Sequence, residues 1–119
     1  MALREEVEIL LQSFHEKVKV FGILFRDDRA KNRNALFDLD ITRFERMEVI
    51  KSIESEDYSE GPITDELNHG SEMWVFGKDV KDIEVYIKIT MGGFNGRSIC
   101  ISFHRAEHPM NYPLKRGKL

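Results

Sequence analysis

Leu3, Val7, Leu10, Leu11, Phe14 and Val18 recur at the three- and four-residue spacing of one helix face, so the chain opens with an amphipathic helix. The short run Val20-Phe21-Gly22-Ile23-Leu24-Phe25 is rich in β-branched and aromatic residues and stops at Arg26-Asp27-Asp28-Arg29, which predicts an edge or buried strand. Thr42-Arg43-Phe44-Glu45 has the S/T-x-x-E form of a capping box. Phe44, Met47, Ile50 and Ile53 follow at steps of three, so a second helix is expected from about residue 43. Gly61-Pro62 and Asn68-His69-Gly70 punctuate a polar stretch without apolar periodicity, expected as a loop. Residues 72–78, 83–91 and 98–103 read as three strands separated by short turn-rich segments, an antiparallel meander. The fold class this predicts is α+β: a small antiparallel sheet of about four strands with the N-terminal helices packed on one face.

The last two strands alternate strictly. Val85, Ile87 and Ile89 oppose Glu84, Tyr86, Lys88 and Thr90; Ile99, Ile101 and Phe103 oppose Ser98, Cys100, Ser102 and His104. Keeping both apolar sets on one side requires opposed residue numbers with an even sum, which a two-residue Asn95-Gly96 hairpin does not give. An odd-length loop or a bulge at Gly92-Gly93 is therefore inferred. The consequence is that His104 lies opposite Tyr86 and Ser102 opposite Lys88, on the polar face. An imidazole, a phenol and an ammonium supply a proton carrier active near neutral pH, an oriented hydroxyl and a fixed cation. Cleavage of RNA by its own 2′-hydroxyl uses such groups and needs no metal or other cofactor.

Composition narrows the classes. The 119 residues suit one domain spanning 1–119, with 41% hydrophobic residues for a core and a formal net charge of −3. The charge is uneven: residues 45–66 hold eight acids against two bases, and 97–119 hold five bases against one acid. Such a basic end can attract a polyanion locally. A single cysteine, Cys100, excludes an internal disulfide and points to a reducing, cytoplasmic setting. No apolar run reaches the about 20 residues of a membrane span, and acids stand where a signal peptide needs bases, so no membrane role is expected. His104-Arg105-Ala106-Glu107-His108 has an H-x-x-E-H spacing, but it follows a strand and runs into Pro109, which argues against a zinc helix. The glycines at 92, 93 and 96 lack the P-loop form and fit a turn. Cys100 is expected to be inert and on the side of Lys88, His15 at the surface, and Trp74 and Phe76 in the core or against a partner.

Tyr58 with Gly61-Pro62, Glu72-Met73-Trp74-Val75-Phe76-Gly77-Lys78, Val85-Tyr86-Ile87-Lys88-Ile89-Thr90 and Ile101-Ser102-Phe103-His104 resemble the MqsR-type toxins of bacterial toxin–antitoxin systems, within the RelE-like ribonuclease superfamily. The resemblance runs from about Ser55 to His104. It implies a small sheet carrying helices on one side, metal-free cleavage of mRNA, and silencing by a cognate helix-turn-helix antitoxin. It also implies an active-site role for Tyr86, with Lys88 on the same face. Two positions depart from the family: His104 replaces a lysine after the Ser-Phe pair, and Glu60 stands where the family has a lysine after the aromatic residue preceding the sheet. The expected roles are His104 as general acid or base, Lys88 as phosphorane stabiliser and Tyr86 as phosphate-orienting hydroxyl. Glu60 or His69 supplies the second proton-transfer group, and Arg97, Arg105, Lys115 and Arg116 track the RNA backbone. The rival expectations are a RelE-like module that binds a partner without cleaving RNA, and a metal-dependent hydrolase using His104 and His108.

Overall fold

The computed structural model describes residues 2–66, 71–92 and 96–116. His69, one of the predicted site residues, and the turn glycine at 93 lie outside the described residues. The opening helix, α1, runs from Arg4 to Phe21 and buries Val7, Leu11, Phe14 and Val18, while Leu3 at its start stays exposed. The Glu6 carboxylate accepts the N–H of Leu3 at 2.9 Å and closes the first turn. Gly22 ends the helix at φ 77°, a conformation that costs glycine nothing. Helical periodicity thus claims Val20 and Phe21, and the predicted strand shrinks to β1, Ile23–Phe25.

Two further helices follow. α3, Arg43–Lys51, has the predicted capping box: Thr42 Oγ1 accepts from Glu45 N–H at 3.0 Å and Glu45 Oε1 accepts from Thr42 N–H at 3.0 Å. α2, Ala30–Asp38, corrects the expectation of two helices; it buries only Asn32 and Ala35, so it carries no apolar stripe for periodicity to detect. After a 3₁₀ turn at Ser55–Asp57 come β2 (Tyr58–Asp65), β3 (Ser71–Val80), β4 (Ile83–Thr90) and β5 (Ser98–Arg105). β2 occupies ground expected to be a loop. It pairs with β3 through two register shifts, between Tyr58 and Glu60 and between Glu60 and Ile63, and these interruptions blur the period-two signal.

The described sheet has five strands in the order β1-β5-β4-β3-β2. β2 to β5 form the antiparallel part, as expected, but β1 joins β5 in parallel, so the sheet is mixed and one strand larger than predicted. The fold is α+β with its N-terminal helices on one sheet face. The core between them holds Phe14, Leu39, Ile50, Tyr58, Trp74, Phe76, Val85, Ile87, Ile89 and Phe103. Tyr58 is fully buried there, its hydroxyl donating to Gly61 O at 2.5 Å and accepting from Ala2 N–H at 3.1 Å, so its role is structural. His15 is half-buried rather than at the surface; its Nε2 lies 2.8 Å from the Ile53 carbonyl oxygen.

The predicted register holds where it matters. Tyr86 pairs with His104 and Lys88 with Ser102, but the next pairs are Ile89 with Cys100 and Thr90 with Ile99. The extra residue is therefore Ile101, and this bulge sits inside β5, whereas the site expected at Gly92-Gly93 runs outside the described residues. One consequence corrects a side-chain direction: beyond the bulge Cys100 turns into the core opposite Ile89, away from Lys88. Asn32 spans this bulge. Its Nδ2 donates to Ile101 O at 2.8 Å and to Arg26 O at 2.9 Å, and its Oδ1 accepts from Phe103 N–H at 2.9 Å.

Candidate active site

Strand pairing lays the polar groups out in two rungs on the face away from the helices. Glu60, Val75, Lys88 and Ser102 succeed one another across β2, β3, β4 and β5; Gly77, Tyr86 and His104 form the neighbouring rung. With about 4.8 Å between strands, Glu60 and Ser102 stand about 14 Å apart at the backbone. Glu60, Val75, Tyr86, Lys88, Ser102 and His104 line one cleft of about 450 Å³, together with Ser59 and residues 107–111 of the chain that follows β5.

Within the cleft the Tyr86 and His104 rings stack at 5.4 Å between centroids and 16° between planes. Lys88 Nζ lies 5.9 Å from the Tyr86 centroid. His104 Nδ1 is 2.9 Å from the Arg105 carbonyl oxygen; that acceptor takes the Nδ1–H, so the neutral ring presents Nε2 as its basic nitrogen. Burial raises the pKa of the Tyr86 phenol, and the carboxylates of Glu60 and Glu107 raise it further. Tyr86 therefore remains a hydroxyl donor at neutral pH. Glu107 is held below the usual carboxylate range, first by its 2.7 Å hydrogen bond from Lys31 and then by that charge.

The predicted residues divide sharply. Glu60, Tyr86, Lys88 and His104 come together; the four predicted backbone-tracking cations do not join them. Arg105 points to the other face, its guanidinium 3.3 Å from both oxygens of Asp38 in α2. Arg116 Nε faces Glu56 at 3.9 Å, Lys115 Nζ lies 5.9 Å from the Tyr112 ring, and Arg97 is exposed beside Gly22. Sequence reasoning missed the contribution of residues 107–111, because a segment without regular structure leaves no periodicity to follow. No group of three His, Cys, Asp or Glu side chains is placed to hold a metal among the described residues. His104 lies in β5, and Glu107 and His108 follow it without forming the helix that an H-x-x-E-H zinc site uses.

Cys100 is a nucleophile by element only. Burial pushes its thiol up to about 12, and Sγ is 3.3 Å from Ser102 O. The native protein is expected to resist maleimide at pH 7.5 for hours and to react within minutes in 6 M guanidinium; rapid modification without denaturant would show that the core opens at β5.

Among the described residues no helix is long and apolar enough to cross a membrane. What fold and site together define is an α+β domain with a titratable cleft on the helix-free side of its sheet. Comparison with protein-family models, with curated proteins and with solved structures found no match to this chain.

Proposed function

We propose that the protein is a metal-independent endoribonuclease that cuts single-stranded mRNA, acting as the toxin of a toxin–antitoxin pair in the cytoplasm. The observation that carries this reading is the stacked Tyr86–His104 pair with Lys88 beside it, in a cleft whose opposite rim is Glu60. The Glu60 carboxylate takes the proton of the 2′-hydroxyl as its oxygen attacks phosphorus. Lys88 and the Tyr86 hydroxyl stabilise the charge on the phosphorane oxygens. The bond from phosphorus to the 5′ oxygen breaks, and protonated His104 gives that oxygen its proton. The products are a 2′,3′-cyclic phosphate and a free 5′-hydroxyl. The likeness to MqsR-type toxins adds the partner: a helix-turn-helix antitoxin that silences the enzyme.

The test is purified protein on single-stranded RNA in excess EDTA. Cleavage with cyclic-phosphate ends, abolished by a 2′-deoxy nucleotide at the cut, is expected; cleavage that needs a divalent ion would overturn the mechanism. The second reading, a domain that binds a partner without cutting RNA, draws support from the ion pairs that engage Arg105 and Arg116 away from the cleft. Absence of cleavage together with harmless expression of the chain alone would favour it.

A further inference from the structure

The chain does not end its structural work at β5. From Ala106 it turns back and crosses the helix-free face of the sheet, and its residues Glu107, His108, Pro109, Met110 and Asn111 make the outer wall of the cleft. This strap forms no strand; one backbone bond at its start and side chains beyond it hold it. Ala106 N–H donates to the Glu84 carbonyl oxygen at 2.8 Å. The Glu84 carboxylate is then used on both oxygens, Oε1 accepting from Met110 N–H at 3.1 Å and Oε2 from the Tyr112 hydroxyl at 2.7 Å. Farther along, Arg4 donates to the Leu114 carbonyl oxygen and, at 3.0 Å, to Ser55 Oγ, tying the strap to the start of α1.

Gly77 explains why the strap fits. It belongs to the rung of Tyr86 and His104, and the Tyr112 ring lies directly over it. A Cβ at position 77 would sit 2.2 Å from the Tyr112 hydroxyl oxygen and 2.8 Å from two ring carbons, contacts that real atoms do not make. Gly77 has no positive φ to require glycine. What selects glycine in the middle of this strand is the close approach of the tyrosine.

We propose that residues 106–114 are a strap that belongs to the substrate-binding site, and that Gly77, Glu84 and Tyr112 are positioning residues that set substrate affinity by seating it. The inference rests on the ribonuclease reading for its substrate, single-stranded RNA, but not for its structural part. The Glu84 carboxylate and the Tyr112 hydroxyl bond to each other and to the strap, and Gly77 pairs with Tyr86 through the strand backbone alone, so unseating the strap removes binding surface and leaves Glu60, Lys88, Tyr86 and His104 in place on their strands. The loss falls on affinity in ground and transition states alike, which raises KM at nearly constant kcat.

The experiment pairs amide hydrogen exchange with RNA cleavage kinetics for the parent, Gly77→Ala and Tyr112→Phe. Alanine adds one methyl under the ring and suits a strand better than glycine, so the sheet itself is expected to stand. Both variants should exchange faster over residues 106–114 and unchanged over β3 to β5. KM should rise about tenfold in Gly77→Ala and about threefold in Tyr112→Phe, which loses one hydrogen bond to a carboxylate. Gly77→Ala in a Tyr112→Ala background should add nothing, because the ring it displaces is gone. Unchanged strap exchange in Gly77→Ala overturns the seating, and faster exchange with unchanged KM overturns the role in binding. If the parent itself cuts no RNA, the ribonuclease reading fails separately. The strap's part in the cleft is then read from exchange and from binding of a 2′-deoxy oligonucleotide, where equal affinity for parent and Gly77→Ala overturns it.

Discussion

His104→Ala is expected to slow RNA cleavage by about 10²–10⁴-fold, the range that a positioned general acid or base contributes. The ring leaves the face of Tyr86, with which it stacks at 5.4 Å, and no other group on that rung exchanges protons near neutral pH. The more telling variant is His104→Lys. It places a fixed cation on the rung, yet a lysine cannot donate and recover a proton readily at pH 7. Under the proposed mechanism His104→Lys stays slow and loses the parent's dependence of kcat on neutral pH. If the role is charge alone, His104→Lys recovers most of the activity, and proton transfer must be assigned elsewhere. Parent-like cleavage by His104→Ala would remove the imidazole from the mechanism altogether. Circular dichroism guards against a trivial result, since His104 is only half-buried and its loss opens no core cavity.

Much of this site was legible because a strand has a period of two. Once Val85, Ile87 and Ile89 claim the core, Tyr86 and Lys88 have nowhere to go but the opposite face, and parity then puts His104 beside Tyr86. Three features escaped for separate physical reasons. α2 is short and buries a single asparagine and a single alanine, too little for a 3.6-residue stripe. β2 is broken by two register shifts, so its alternation restarts twice within eight residues. The strap has no repeat at all, and the one sign of it was indirect: a glycine, Gly77, directly after Trp74-Val75-Phe76 inside a strand. The basic end does not converge on the cleft. The basic count near the C-terminus was right, but Arg105 is odd-numbered on the strand where His104 is even, so the same parity that brings the imidazole to the cleft sends the guanidinium to Asp38.

Asn32→Leu is expected to cost about 3 kcal/mol of folding stability, because it strands buried backbone groups at roughly 1–3 kcal/mol each. The side chain is 3% exposed, and its amide is the partner of Phe103 N–H, Ile101 O and Arg26 O. β1 stops pairing with β5 at Cys100, and from there the asparagine amide takes the place of a strand edge. It does so where the bulge at Ile101 has disturbed the ladder, the place at which the register changes between the core-facing Cys100 and the cleft-facing Ser102 and His104. Leucine keeps the branch point and the number of side-chain heavy atoms of asparagine, so the loss is dominated by the missing hydrogen bonds. Urea titration at constant m gives the number, and a change below about 1 kcal/mol would mean that water reaches the bulge and satisfies it. The functional corollary follows from parity. If the bulge migrates when its clamp is removed, His104 leaves the rung of Tyr86, so Asn32→Leu should lose cleavage even at temperatures where it remains folded. Asn32 touches neither cleft nor substrate, and an asparagine whose removal silences the site from the helix side of the sheet would show that the register, more than any single side chain, is what places the chemistry.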